Sequence, residues 1–400
     1  MTVEHLLEQA KRLAPQLVRW RRDLHRHPEI GFEEVRTANV VAEHLHGLGL
    51  QVAEGIGRTG VVGLLEGTSP GPTIALRADM DALPIQDAKS VDYGSGVAGK
   101  AHLCGHDAHT TMLMGAAQLL RDMGPPARGN IKFIFQPAEE GLAGAAAMIA
   151  DGVLDRPRVD AIVGLHVYPG LRTGSFAMVK GVAHASVDDF VIRIHGQGGH
   201  AARPHEAIDA IAVAGQVITG LQQVVSRMID PLETAVLTIG KISGGYMGSS
   251  IAPEVVLHGT VRTLAPHVRE RMPQLVERAL DHLTAAFGAS HTLDYHHNYP
   301  VVTNDGAMID LMARATERLV GGKPWSAMTP STGGEDFAFY TERIPGAFIR
   351  LGTSSGSAET SYPLHHPMFD LDEQALPIGS ALLATAALEY LNPKKGDDTQ

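Results

Sequence analysis

Three observations predict an α/β fold whose largely parallel sheet forms a catalytic domain, with a ferredoxin-like unit inserted into the chain. Short apolar runs alternate with helical stretches over the first 180 residues, and each run is nearly all apolar, as strands covered on both faces are. Polar residues gather just beyond several of these runs, where parallel sheets collect their ligands and catalytic groups. From about Gly181 the order changes to β-α-β-β-α-β, the ferredoxin-like unit.

The elements follow in order. Leu6, Leu7, Ala10, Leu13, Leu17 and Leu24 recur at helical spacing, and Pro28 ends the helix because it disfavours α conformation in the residue before it. A second helix covers residues 37–48, and a third covers 109–123. Apolar runs at 61–65, 73–77, 131–135 and 159–167 read as strands. Asp79 and Asp81 follow the second of these, Glu139 and Glu140 follow the third, and His166 closes the fourth, so three strand ends converge on one site. In the inserted unit, 188–195, 234–241, 255–262 and 291–297 read as strands, with helices at 205–228 and 266–287. The expected domains are 1–180 with 296–400, and 181–295 between them. A final helix near 372–391 returns to the first domain, and the polar tail 394–400 reads as frayed.

Composition narrows the classes of function. The 400 residues are 44% hydrophobic, enough for a large core, and carry 33 Lys and Arg against 44 Asp and Glu, a net charge of −11. No basic block suggests a nucleic-acid partner. Residues 1–20 are charged throughout and lack the apolar centre of a signal peptide, and no later run approaches the ~20 apolar residues of a membrane span. The expectation is a cytoplasmic protein with neither a nucleic-acid nor a membrane partner.

Cys104 is the only cysteine, so it forms no intrachain disulfide; metal ligation, nucleophilic attack and simple burial remain. An arbitrary Cys-x-His is most often a buried thiol beside a capping histidine. Here Cys104-Gly105-His106 has company in a carboxylate pair, a strand-end histidine and the loop Leu364-His365-His366-Pro367. Thiolate, imidazole and carboxylate together suit a borderline-soft divalent metal, and Gly105 permits the tight turn that aims two ligands at one point. Adjacent carboxylates beyond a strand face different ways, so one can bind metal while the other handles a proton. His166 taken singly is more often a hydrogen-bonded core histidine than a ligand, and His365 and His366 are likewise ambiguous.

The set His25-x-x-Pro28-Glu29-x-Gly31-Phe32-x-Glu34, Arg77-Ala78-Asp79-Met80-Asp81-Ala82-Leu83-Pro84, Cys104-Gly105-His106-Asp107-Ala108-His109-Thr110, Gln136-Pro137-Ala138-Glu139-Glu140, Leu165-His166-Val167, Gly199-His200-Ala201-Ala202-x-Pro204-His205, Gly334-Glu335-Asp336-Phe337 and Leu364-His365-x-Pro367 closely resembles the amidohydrolase family of hippurate hydrolases, N-acyl-amino-acid amidohydrolases (aminoacylases) and auxin-conjugate hydrolases. The motifs run from residue 25 to 367 in the family's order.

The resemblance implies a hydrolase that cleaves the amide of an N-acyl amino acid, and two divalent metal ions, Zn, Mn, Co or Ni, held by Cys104, His106, Glu140, His166 and His365, with Cys104 bridging. It implies that Glu139 is the general base, that Asp81 supports a ligand, and that Asp79 stands where other branches have a histidine ligand. It also implies a homodimer, or a homo-oligomer built from dimers, in which His200 reaches the partner's active site to stabilise an oxyanion. The plainer reading of His200 is a loop histidine capping the helix after Pro204. Where many members have Asn-Val-Ile-Pro this chain has Ser250-Ile251-Ala252-Pro253, which leaves substrate recognition open. Arg262 matches an arginine near the substrate, where it would fork onto a carboxylate; a surface charge is the alternative. A dipeptidase or carboxypeptidase of the same family, a metal-binding protein without catalysis and a thiol enzyme using Cys104 are the competing functions.

Overall fold

The computed structural model describes residues 5–392. The tail read as frayed lies outside them from residue 394. Two compact units are present, one formed by the chain up to Gly181 with Thr303–Thr329 and the chain from Phe339, the other by Val182–Val302 with Pro330–Ala338. The second unit thus begins near the expected position 181, extends past 295, and takes in a short returning segment.

The larger unit is built on an eight-stranded sheet in the order Gln51–Ile56, Gly60–Glu66, Asn130–Gln136, Thr73–Asp79, Ala161–Arg172, Gly346–Ser354, Phe176–Met178, Trp325–Ala327. Its middle four strands pair in parallel, while the first two pairings are antiparallel. The centre is therefore the parallel sheet that the apolar runs predict, and the rim is mixed. Thr73–Asp79 is buried along its whole length, which explains why it lacks the alternation of a half-exposed strand.

Helices Leu6–Arg26, His106–Met123 and Ala375–Leu391 pack on one another. The last two come together on small side chains. A β-carbon on Gly115 would lie 2.4 Å from Ser380 Oγ, and one on Gly379 would lie 1.9 Å from Met112 Sδ, so the close approach depends on glycine.

The smaller unit has a four-stranded antiparallel sheet, ordered Ala235–Gly244, Glu254–Thr263, Ser186–His195, Ser290–Tyr299. Along the chain these strands and the helices Ala210–Gln223 and Pro266–Ala285 run β-α-β-β-α-β, the ferredoxin-like order. Phe190, Ile192 and Ile194 alternate inward from Ser186–His195 onto Val213, Val217, Leu221, Val276 and Leu280, a core separate from that of the larger unit.

Three of the differences from the expected element boundaries have a visible local cause. The helix expected from 109 starts at His106, directly after Gly105 in the left-handed region. The helix expected from 205 starts at Ala210, because Asp209 caps it by accepting from the Ile211 and Ala212 amides; a 3-10 turn, Pro204–Glu206, precedes it and a π-helical turn, Val224–Met228, follows. His166 does not end its strand, which continues to Arg172. The neighbouring strand Thr73–Asp79 pairs only as far as Gly164, so beyond that point His166 keeps one strand neighbour, Arg350. No helix among the described residues is long and apolar enough to cross a membrane.

Candidate metal centre

The site lies in the larger unit at the carboxyl ends of its parallel strands. Thr73–Asp79 delivers Asp79 and, two residues on, Asp81; Asn130–Gln136 leads into Glu139 and Glu140; Ala161–Arg172 carries His166. Cys104 and His106 straddle Gly105, whose φ is +88°. A β-carbon there would fall 2.3 Å from Val167 Cγ2, so only glycine fits both the conformation and the space. His365 comes from a loop, itself at φ +67°, and its amide donates to the Leu103 carbonyl at 2.8 Å.

These residues converge on the thiol. Cys104 Sγ lies 3.5 Å from His166 Nε2 and 3.3 Å from His365 Nε2. Ligand atoms of Cys104, His106 and His166 lie within 4.8 Å of one another, and so do those of Cys104, Glu140 and His365. Glu139, nearly buried, forms a third such group with His106 and Glu140.

Hydrogen bonding sets the tautomers. His166 Nδ1–H donates to the Val167 carbonyl at 2.7 Å, leaving Nε2 as a lone pair beside the thiol. His106 Nδ1–H donates to Asp81 Oδ1 at 3.1 Å, and its Nε2 is buried without a hydrogen-bond partner. Metal-ligating imidazoles characteristically donate their other nitrogen to a carboxylate or backbone carbonyl in this way. Asp81 also accepts from the Glu140 amide at 2.9 Å, so one carboxylate orients two candidate ligand residues. Glu140 Oε1 is likewise buried without a hydrogen bond, 3.2 Å from His365 Nε2.

Asp79 accepts from Arg77 Nη1 at 2.7 Å and from His109 Nδ1–H at 2.6 Å, while His109 Nε2 accepts from the Val167 amide at 2.9 Å. Asp79 Oδ2 is 3.8 Å from His106 Nε2. His109 carries no role in the sequence reading. Its signal was the i, i+3 spacing from His106, which puts both rings on one face of the helix.

The electrostatics call for a cation. Burial opposes charge on His106, but Asp79 and Asp81 outweigh it and hold the imidazole up at about 10. Burial and the neighbouring Glu140 and Glu139 push the Cys104 thiol well above its usual range. Burial pushes His166 well down, favouring the neutral ring that metal ligation would require. Burial alone would raise Asp79, yet His106, His109 and Arg77 hold it well below the usual carboxylate range. A pocket of carboxylates around two buried atoms that lack hydrogen-bond partners, with one thiol and three imidazoles, fits divalent ions of the borderline class, whose binding would release protons from His106 and Cys104.

The remaining candidates belong to the smaller unit. His200 and Ser250 are register partners in a two-residue antiparallel ladder. His200 is exposed and its Nδ1 accepts from the Ala202 amide at 3.1 Å, so the ring proton sits on Nε2. That bond is to its own turn, with the helix Ala210–Gln223 capped by Asp209 instead. Arg262, in Glu254–Thr263, has a buried Nη1 without a hydrogen-bond partner.

Residues 75–389 match the family described as Peptidase family M20/M25/M40. An N-acetylcysteine deacetylase of Bacillus subtilis is 41% identical over 381 residues, covering 95% of this chain and 98% of that protein. The IAA-amino acid hydrolase ILR1-like 4 of Arabidopsis thaliana is 38% identical over 375 residues, covering 93% and 84%. A solved Bacillus subtilis structure, described as a dinuclear metal binding peptidase, aligns over 96% of this chain and 99% of that one, with a TM-score of 0.83 and 37% identity.

Proposed function

Because this chain belongs to peptidase family M20/M25/M40 and is a metal-dependent amidohydrolase, we propose that it cleaves the amide bond of N-acyl amino acids, releasing a carboxylic acid and a free amino acid. The observation that carries the reading is the place of Cys104 Sγ in two ligand groups at once, with Glu139 beside both. Cys104, His106 and His166 would hold one divalent ion, and Cys104, Glu140 and His365 a second, Zn, Mn, Co or Ni. Bound there, such ions polarise an amide carbonyl and acidify water.

The chain's own residues manage protons and position. Glu139 takes a proton from the attacking water as the new carbon–oxygen bond forms. It then returns that proton to the amide nitrogen as the carbon–nitrogen bond breaks, so one carboxylate serves as base and then acid. Arg262 presents a buried donor lacking an acceptor, which a substrate carboxylate would satisfy in a charge-assisted bond. The chain acts as a homodimer, in which His200 Nε2–H donates to the oxyanion at the partner's site. Ser250 stands opposite His200 in register, so the departure from the family's asparagine falls beside this group and bears on which substrate is preferred.

The test is a screen of metal-reconstituted protein against acetyl, benzoyl and aminoacyl conjugates, varying acyl group and amino acid independently. Acyl conjugates should be hydrolysed and chelator should abolish turnover. A clear preference for aminoacyl conjugates would make it a dipeptidase, and turnover that survives chelation would leave Cys104 as nucleophile.

A further inference from the structure

We propose that Arg21 is a positioning residue that clamps the segment bearing His365 onto the segment bearing Cys104 and His106, and so sets the affinity of the Cys104–Glu140–His365 metal position. The inference rests on the metal-centre reading above.

Arg21 is out of place by composition. On the helix Leu6–Arg26 the stripe Leu17, Arg21, Leu24, His25 is fully buried, and a guanidinium sits where an apolar side chain would otherwise pack. Its fork reaches two chain segments far apart in sequence. Nε donates to Asp107 Oδ2 and Nη2 donates to Asp370 Oδ1, both at 2.8 Å. Asp107 directly follows His106, and Asp370 is five residues after His365, so each carboxylate is tied to a ligand by a short stretch of chain.

The two segments meet at two other places. The His365 amide donates to Leu103 O at 2.8 Å, and the Phe369 ring packs over Gly105, with Cζ 3.7 Å from where a β-carbon would be. Neither contact supplies charge. Asp107 and Asp370 are both buried anions, and without a cation between them closing the segments would bring like charges together out of water. Arg21 sets one positive charge between them, His25 Nδ1–H adds a second bond to Asp107 at 2.7 Å, and Tyr93 O–H adds one to Asp370 at 2.7 Å. Lysine, with a point charge, would not span two carboxylates with fixed geometry.

The clamp acts unequally on the two metal positions. Cys104 and His106 are buried at a helix start anchored by Asp81 and by packing against Ala375–Leu391. His365 is half-exposed on a loop held in a left-handed conformation unusual for a non-glycine residue, so its placement depends on what grips the loop on either side.

The experiment is cobalt(II) titration of the full chain in competition with a chelator, resolving two dissociation constants, alongside thermal melting. Loss of a supporting partner typically weakens metal affinity about 10–100-fold, so Arg21→Met should weaken one constant by that much and leave the other within about threefold. The constant that moves should be the one moved by His365→Ala and not the one specific to His166→Ala. Because Arg21→Met strands two carboxylates, Arg21→Met with Asp370→Asn is the stricter variant: its melting temperature should recover in part while the weak constant stays weak, and Arg21→Lys should fall between. If that double variant binds both ions with wild-type constants, or if both constants fall together in step with melting, Arg21 is structural only. If the wild type does not bind two ions, the metal-centre reading fails and this inference falls with it, an outcome distinguishable because no Arg21 variant is needed to see it.

Discussion

Glu139 and Glu140 are neighbours in the chain with different surroundings, and the backbone between them explains why. Ala138 is left-handed at φ +54°, and Glu140 (φ −72°, ψ 76°) and Gly141 (φ +84°) leave helical geometry at once, so the two carboxylates bring oxygens within 4.8 Å of each other where a regular helix would have turned them 100° apart on one cylinder. Glu140 is turned toward Cys104 and His365, with its amide held by Asp81. Glu139→Gln should therefore keep both metals and lose about 10²- to 10⁴-fold in turnover, the range for a removed general base; metal content and kcat on the same preparation check this. Near-normal turnover with metals bound would take Glu139 out of that role. Cys104→Ser should lower metal content, since a serine hydroxyl is a far poorer anion than a metal-bound thiolate, and Cys104→Asp should retain more. Equal metal content in the wild type and Cys104→Ser, measured by metal analysis after dialysis, would end the bridging assignment.

The elements show where local signals compete. Residues 205–209 precede Ala210–Gln223 with good helical spacing, yet Asp209 takes the cap because its carboxylate satisfies the Ile211 and Ala212 amides at 3.0 and 3.3 Å. Asp209→Ala should cost about 0.5–2 kcal/mol of stability, read as a lower melting temperature of the smaller unit with metal content unchanged. A melting temperature equal to wild type would show that the preceding 3-10 turn, and not the cap, holds that end. The opposite error occurs at 106–108, which the sequence reading leaves outside the helix and which form its first turn. Gly105 is the reason: the left-handed residue reorients the chain in one step, so Cys104 stays outside the helix and His106 opens it. The strand Ala161–Arg172 outruns its apolar stretch because Gly346–Ser354 continues to pair with it, a partner 180 residues away that no local pattern reveals.

For the whole molecule, the proposal with most at stake is that a functional site needs two chains. His200→Ala should cost about 10²- to 10³-fold in turnover with metals retained, as for a lost oxyanion donor. Mixing it with inactive Glu139→Ala under conditions of subunit exchange gives hybrid dimers in which one site has Glu139 of its own chain and His200 from the other. Activity above either parent is expected, and verified hybrids with no gain would place His200 outside the partner's site. The sequence by itself determined the alternation that makes the parallel sheet, the β-α-β-β-α-β order of the smaller unit, and the polar groups beyond strand ends, because burial on two faces, helical periodicity and strand-end chemistry are local patterns. Tertiary structure alone decided which nitrogen of each histidine is free: His166 spends Nδ1–H on Val167 O, His106 on Asp81, and His109 stands between Asp79 and the Val167 amide. It also decided that Arg21, on the first helix, joins Asp107 to Asp370. Such choices depend on distances between segments remote in the chain, and a side chain's hydrogen-bond partner is fixed only when packing has excluded water and left one geometry that satisfies every buried group.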